Sequence, residues 1–314
     1  MIELVALIVV IGICAEAFTR TLDELGDVFG FDQHVIGSVF AAVATTLPET
    51  LVPLMALVVH HNTQIALGAT VGSFLILSTL ALAIIGIVLR LKKGVGAQLH
   101  VPNEIHADLK WFIAFCSFGL ILSFLHNHHI IQVTGAVVLL GLYAARLRGI
   151  LKKSKKDRLQ QKSKRESIPK KKIWILASRM FFLIVALTTA SSYFVDALHQ
   201  VHSFLGNELM MALVFSPLAT ELPEKLNSIL WVLRGRETAA IANITGALVY
   251  QASVLTAINI LIGQWYINST MILALIISMM ATGILLAHKK WSWNMLAGES
   301  AFLLLFWMLQ EQGF

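Results

Sequence analysis

The sequence is poor in charge. Asp, Glu, Lys and Arg together make up 13% of its 314 residues, while 57% are hydrophobic. A soluble domain carries about 25% charged residues, so an ordinary water-facing surface is excluded, and a mean hydropathy of +0.76 agrees. Cysteine is nearly missing. Cys14 and Cys116 both sit in apolar segments; they say nothing of redox compartment and read as free thiols packed among helices. Catalytic signatures are missing too: there is no Walker lysine loop, no nucleophile elbow and no metalloprotease helix. Neither an enzyme nor a resident cofactor is expected. The formal net charge of +6 does not point to nucleic acid, because the basic residues gather in one loop and a few short connections, as topology signals do.

What is present is a series of long apolar blocks, each near the roughly 18 residues that mark a membrane span. Ten are expected, near 2–18, 35–59, 64–90, 110–126, 130–147, 173–195, 207–233, 238–262, 269–287 and 293–310. Glu3 stands where a signal peptide would carry positive charge, and no small-residue cleavage site follows, so the first block is read as a retained span. Several blocks exceed the crossing length, which predicts tilted or broken helices. Lysine and arginine occupy the odd-numbered connections: Arg20; Arg90, Lys92, Lys93 and Lys110; the run Leu151 to Lys172; Arg234 and Arg236; Lys289 and Lys290. The even-numbered connections hold none. The positive-inside rule then puts the odd connections in the cytoplasm and both termini outside. Leu151 to Lys172 reads as a charged tether at the anionic inner leaflet, and Trp265, Tyr266, Trp291 and Trp293 as interfacial anchors.

The chain also repeats itself. Residues 44–58 read ATTLPETLVPLMALV and residues 219–233 read ATELPEKLNSILWVL. The next blocks correspond as well, IALGATVGSFLIL from Ile65 and AAIANITGALVYQ from Ala239, which aligns Gly72 with Gly246. Span two runs outward and span seven inward, so the copies are inverted, and inverted repeats with Pro-interrupted spans point to a midplane binding site. The expected fold is therefore an all-α membrane protein of ten transmembrane helices in two inverted five-helix repeats, 1–150 and 173–314, joined by the basic linker 151–172.

Glu49 and Glu224 each lie near the centre of a span. A carboxylate there costs several kcal/mol, so it must be protonated, paired or cation-bound. Pro48 and Pro223 precede them, and each frees a carbonyl one turn earlier, at Ala44 and Ala219. With the hydroxyls of Thr45, Thr46 and Thr220, this makes two matching sets of oxygen donors, the shell that hard cations require.

The paired T-x-L-P-E motifs, each followed by a helix of the A-x-G-x-x-x-G-S type, resemble the alpha repeats of sodium/calcium exchangers, within the wider cation/calcium exchanger superfamily. The resemblance implies secondary active transport: Ca²⁺ exported against Na⁺ or H⁺ by alternating access, with two slanted spans sliding against a core. It makes Glu49 and Glu224 the principal cation ligands and Thr45, Thr46, Thr220 and Ser73 supporting ones. The chain departs from the family pattern where Gly-Ser-Asn-x-x-Asn is usual. Here the first copy reads Gly72 to Leu77 without either asparagine, and the second ends on Gln251 where Asp or Asn is usual. Glu221 stands where the family has Ser or Thr, three residues before Glu224 and four before Lys225. It reads either as a third site carboxylate or as half of an ion pair with Lys225, whose ammonium could also stand in for a coupled cation. Na⁺ and H⁺ remain equal candidates for the coupling ion.

His60, His61, His126, His128, His129, His199 and His202 gather on the expected outer face without a closed zinc spacing. Glu16 and Glu299 lie in or near spans, and Asn227, Ser228, Asn243 and Gln251 are candidates for lining the path. The partners expected are inorganic cations and the lipid bilayer of a prokaryotic inner membrane, not nucleic acid. The rival readings are a monovalent cation/proton antiporter and a non-transporting sensor of the same fold.

Overall fold

A computed structural model describes residues 2–28, 47–158, 170–205 and 208–311. Helices dominate, because apolar blocks without water must satisfy their backbone internally. In chain order they are α1 (Ile2–Val28), α2 (Leu47–Val58), α3 (Thr63–Ile76), α4 (Leu82–Lys93), α5 (Asn103–Phe124), α6 (His129–Arg158), α7 (Lys170–Leu205), α8 (Glu208–Leu233), α9 (Glu237–Tyr250), α10 (Thr256–Ile262), α11 (Ser269–Leu286), α12 (Trp293–Gly298) and α13 (Ser300–Glu311). Among the described residues, six helical stretches are long and apolar enough to cross a membrane: Thr63–Lys93, Asn103–Phe124, His129–Ile150, Ile173–Ala197, Glu237–Ile262 and Ser269–Leu286. Their outward faces carry large apolar side chains such as Ile130, Trp174, Phe181 and Phe182, all exposed, more than a water-soluble surface tolerates.

The irregularities fall in an instructive place. α8 stays helical through Pro217 and Pro223. The breaks lie instead in the helix after each Pro-Glu motif, where π-helical turns at Leu77–Ala81 and Gln251–Leu255 join α3 to α4 and α9 to α10. Leu77 and Gln251 hold the same place in the two aligned segments. A π turn displaces a backbone carbonyl from its usual partner, and hydroxyls take up the slack. Thr256 Oγ1 donates to Gln251 O at 3.2 Å and Ser253 Oγ to Val249 O at 2.6 Å, while Thr79 Oγ1 donates to Leu75 O at 2.5 Å.

The expectation of an all-helical chain needs one correction. Gln98–His100 and Lys290–Ser292 form β1 and β2, a short antiparallel ribbon that pairs Leu99 with Trp291. The loops after α4 and α11 lie side by side, and pairing satisfies backbone groups that a helix end leaves open. The ribbon, together with Lys92 and Lys93 against Glu237, gathers the loops after α4, α8 and α11 at one end of the bundle. At the other end, His60 meets Ser192 and Asp196, and Gln132 donates to the backbone oxygens of Leu122 and Trp265. The anchors also divide. Trp265 and Trp291 are fully buried, their indole N–H groups donating to Gly119 O and Leu285 O; they pin loops to the core rather than face lipid. Tyr266 is exposed, and Arg90 lies 4.3 Å above the Trp293 ring.

The apolar interior forms two clusters. The larger unites residues from α3 to α6 and from α8 to α13. The smaller is built mainly from α1, α2 and α7, with Ile11, Phe18, Val52, Leu187 and Phe194 at its centre. Close approach of α3 to α8 holds the bundle together. Gly68 and Gly72 share a face of α3, and a Cβ at Gly72 would lie 2.1 Å from Leu213 O of α8; small residues at this spacing let membrane helices touch along their backbones. Gly246, its counterpart, has open space there. Gly72→Ala should therefore push α3 from α8 and destabilise the protein by about 1–3 kcal/mol, whereas Gly246→Ala should be neutral. Melting of the two purified variants in detergent tests this, and equal melting temperatures would refute it.

Candidate functional site

Three helices bring the acidic residues together. α2 carries Glu49, α8 carries Glu221 and Lys225, and the π turn after α9 begins at Gln251. Glu49 is 2% exposed, Glu221 1% and Gln251 0%. The Gln251 amide nitrogen donates to Glu49 Oε2 at 2.5 Å and to Glu221 Oε1 at 3.0 Å. One side-chain amide has two N–H donors, and here both go to carboxylates from opposite halves of the chain. Lys225 Nζ stands 3.0 Å from Glu221 Oε2. Of the two sequence readings of Glu221, the ion pair with Lys225 is present, and Gln251 sets the same carboxylate beside Glu49. Gln251 Oε1 is buried and accepts no hydrogen bond among the described residues, which leaves a neutral oxygen beside two carboxylates.

The other expected site residues distribute as follows. Ser73 is buried on α3, and its hydroxyl donates to Ala69 O at 3.0 Å rather than to the carboxylates. Thr45 and Thr46 lie outside the described residues, and Thr220 and Glu224 fall within α8 but their side chains are not among those described. Of the path candidates, Asn243 donates to Ser228 Oγ at 3.4 Å, joining α9 to α8; the side chain of Asn227 is not described. Glu16 pairs with Arg20 on an exposed face, and Glu299 is buried where α12 meets α13. Among the described residues no group of three or more His, Cys, Asp or Glu is placed to hold a metal. His126 packs on Tyr266 with ring centres 4.6 Å apart, and the side chains of His199 and His202 are not described.

Sequence reasoning missed a polar belt around this cluster. Thr50 Oγ1 and the Tyr250 hydroxyl lie 3.0 Å apart, next in sequence to Glu49 and Gln251. Tyr250 packs edge-on against Tyr143 of α6. One turn along α6, Arg146 pairs with Asp108 of α5, which also accepts from Thr245 of α9 at 3.2 Å. Farther along, Asn259 of α10 donates to Thr70 of α3 at 2.9 Å. The one available signal was Asp108, two residues before the expected start of span four; its partner lies 38 residues away, and no local spacing links them.

A family model described as "Sodium/calcium exchanger protein" matches residues 1–150 and 175–310. No curated protein sequence matches the chain. Several solved structures do. A crystal structure of an H⁺/Ca²⁺ exchanger, CAX, superposes with a TM-score of 0.73 at 15% identity, covering 98% of this chain and 81% of that one. The native structure of YfkE gives 0.70 at 14% identity over 98% and 89%. The sodium-calcium exchanger NCX_Mj, soaked with Na⁺ and Sr²⁺, gives 0.64 at 15% identity over 99% and 97%. At these identities the likeness is one of fold.

The geometry makes Gln251 the clasp of the cluster. Gln251→Leu, which copies Leu77 of the first repeat, would strip two buried carboxylates of their shared donor at a cost of about 1–3 kcal/mol. A clear fall in melting temperature is expected; an unchanged one would mean that the amide does not hold the carboxylates.

Proposed function

The chain belongs to the sodium/calcium exchanger protein family and is an integral membrane protein; from that premise we propose that it is a secondary antiporter that exports Ca²⁺ in exchange for Na⁺ or H⁺. Its frame is ten spans in two inverted five-helix repeats, 1–150 and 173–314, joined by the basic tether 151–172, in a prokaryotic inner membrane. The observation that carries the reading is the Gln251 amide held between Glu49 and Glu221 in a site closed to water. Nothing but a cation or a proton answers two such carboxylates better than that amide does.

In this reading Glu49 and Glu224 are the principal ligands, and Glu221 replaces oxygens that the family's usual asparagines would supply. Thr45, Thr46, Thr220 and Ser73 add neutral oxygens. A hard divalent cation takes six to eight such ligands. Gln251 has two faces. Its N–H groups hold the carboxylates while no cation is bound, and a half-turn of the amide offers Oε1 to an arriving cation instead. The amide thus exchanges donor for ligand within one pocket.

Alternating access requires one group of helices to move against another. The smaller apolar cluster, in which α1 and α7 pack together against α2 and α3, supports these two as the pair that slides. Among the described residues, a polar tie from α7 to the rest of the bundle is that of His60 with Ser192 and Asp196.

The test is ⁴⁵Ca²⁺ uptake into proteoliposomes under an imposed Na⁺ gradient in one set and a pH gradient in another. Uptake is expected with one of the two, and Glu49→Gln should abolish it while the protein still melts cooperatively. Normal uptake in Glu49→Gln would remove this residue from the site. No uptake from folded wild-type protein under both gradients would favour monovalent exchange or a sensor.

A further inference from the structure

The second copy of the repeated motif carries two charges that the first lacks, Glu221 in place of Thr46 and Lys225 in place of Thr50. Where the first has Thr50, bonded to Tyr250, the second has Lys225. The Lys225 side chain is 9% exposed and that of Glu221 1%, with Nζ 3.0 Å from Oε2. The other oxygen of the same carboxylate accepts from Gln251, whose second N–H reaches Glu49. The ammonium is therefore joined to the far side of the site by one ion pair and two hydrogen bonds, not a bystander on the helix surface. An ion pair this deep is a poor source of stability, because desolvation of both charges offsets their attraction. A fixed positive charge beside a cation site does have a direct consequence for transport.

We infer that Lys225 is a tethered cation of the transport site: its ammonium neutralises Glu221 while no substrate is bound, gives up that carboxylate when a divalent cation enters, and takes the part of one exchanged monovalent ion. The inference rests on the antiporter reading above and adds its coupling ratio. A loaded or returning carrier crosses the low-dielectric barrier most easily when its site is neutral. In the antiporter reading the site counts three carboxylates, Glu49, Glu221 and Glu224, and the charge of Lys225 offsets one of them throughout the cycle, whichever partner the ammonium holds. A divalent cation balances the remaining two on one limb, and two monovalent ions balance them on the other. The exchange is then electroneutral. Without the lysine, the return limb needs a third monovalent ion, and the cycle moves net charge.

The experiment is ⁴⁵Ca²⁺ flux in proteoliposomes at membrane potentials set with K⁺ and valinomycin, beside Ca²⁺/⁴⁵Ca²⁺ self-exchange, which needs no coupling ion. Wild type should be insensitive to potential. Lys225→Met should become potential-dependent, gain one coupling ion per Ca²⁺ and bind Ca²⁺ about tenfold more tightly, since a neighbouring like charge disfavours a cation on this scale. The double variant Glu221→Gln/Lys225→Met restores the charge balance and should return to potential-independent exchange. If Lys225→Met does not fold, Glu221→Gln against the double variant carries the same contrast, a difference of one coupling ion. Self-exchange intact with the same potential dependence in wild type and Lys225→Met, or in that second pair, overturns the inference alone. A wild type without self-exchange overturns the antiporter reading, and the inference with it.

Discussion

Carboxylates buried away from water must be answered by donors or by cations, and the centre of this protein is organised around that requirement. Glu49 and Glu221 come from separate halves of the chain and meet at one amide, Gln251. Lys225 supplies the remaining positive charge from the next turn of α8. Neither carboxylate could sit in an apolar bundle by itself at a cost of about 3 kcal/mol or more. Together with an amide and an ammonium they can.

The helices around the site obey the same logic at the level of the backbone. A π turn after α9 begins at Gln251 itself, and a matching one after α3 begins at Leu77. Each frees backbone that nearby Ser and Thr hydroxyls then satisfy. The matched position holds leucine in one repeat and glutamine in the other, so a shared backbone irregularity serves a polar role only once. Close contact of α3 with α8 through Gly72 keeps the segment that carries Glu221 against the core. α1 and α7, by contrast, bury their apolar seam in the smaller cluster, against α2 and the start of α3.

Much of the site was legible in the order of residues. Glu49, Glu221 and Gln251 stand out as polar residues in apolar blocks, and the repeat aligned the segments that carry them. The i to i+4 spacing also announced the Glu221–Lys225 pair. Where reading failed, the cause was distance. Thr50 and Tyr250 are 200 residues apart, and Asp108 and Arg146 are 38 apart. Trp265 and Trp291 looked like lipid-facing anchors from their flanks, yet bury their rings because each indole N–H reaches a carbonyl on a packed neighbour. Prolines in α8 promised a break that the helix does not show, since proline removes one donor but does not dictate where a long helix yields.

By itself, then, the sequence determined that the chain lives in a membrane, that one of its segments recurs in the second half, and which few acids stand where acids are costly. Those are consequences of composition and period, which act locally and survive any arrangement of helices. Tertiary structure alone decided that a single amide clasps two of these acids, that a lysine pairs with one of them, and that the α-helical pattern gives way at π turns rather than at the prolines of α8. Each depends on which faces meet across the bundle, and facing is set by the packing of the whole chain, not by the neighbours of any one residue.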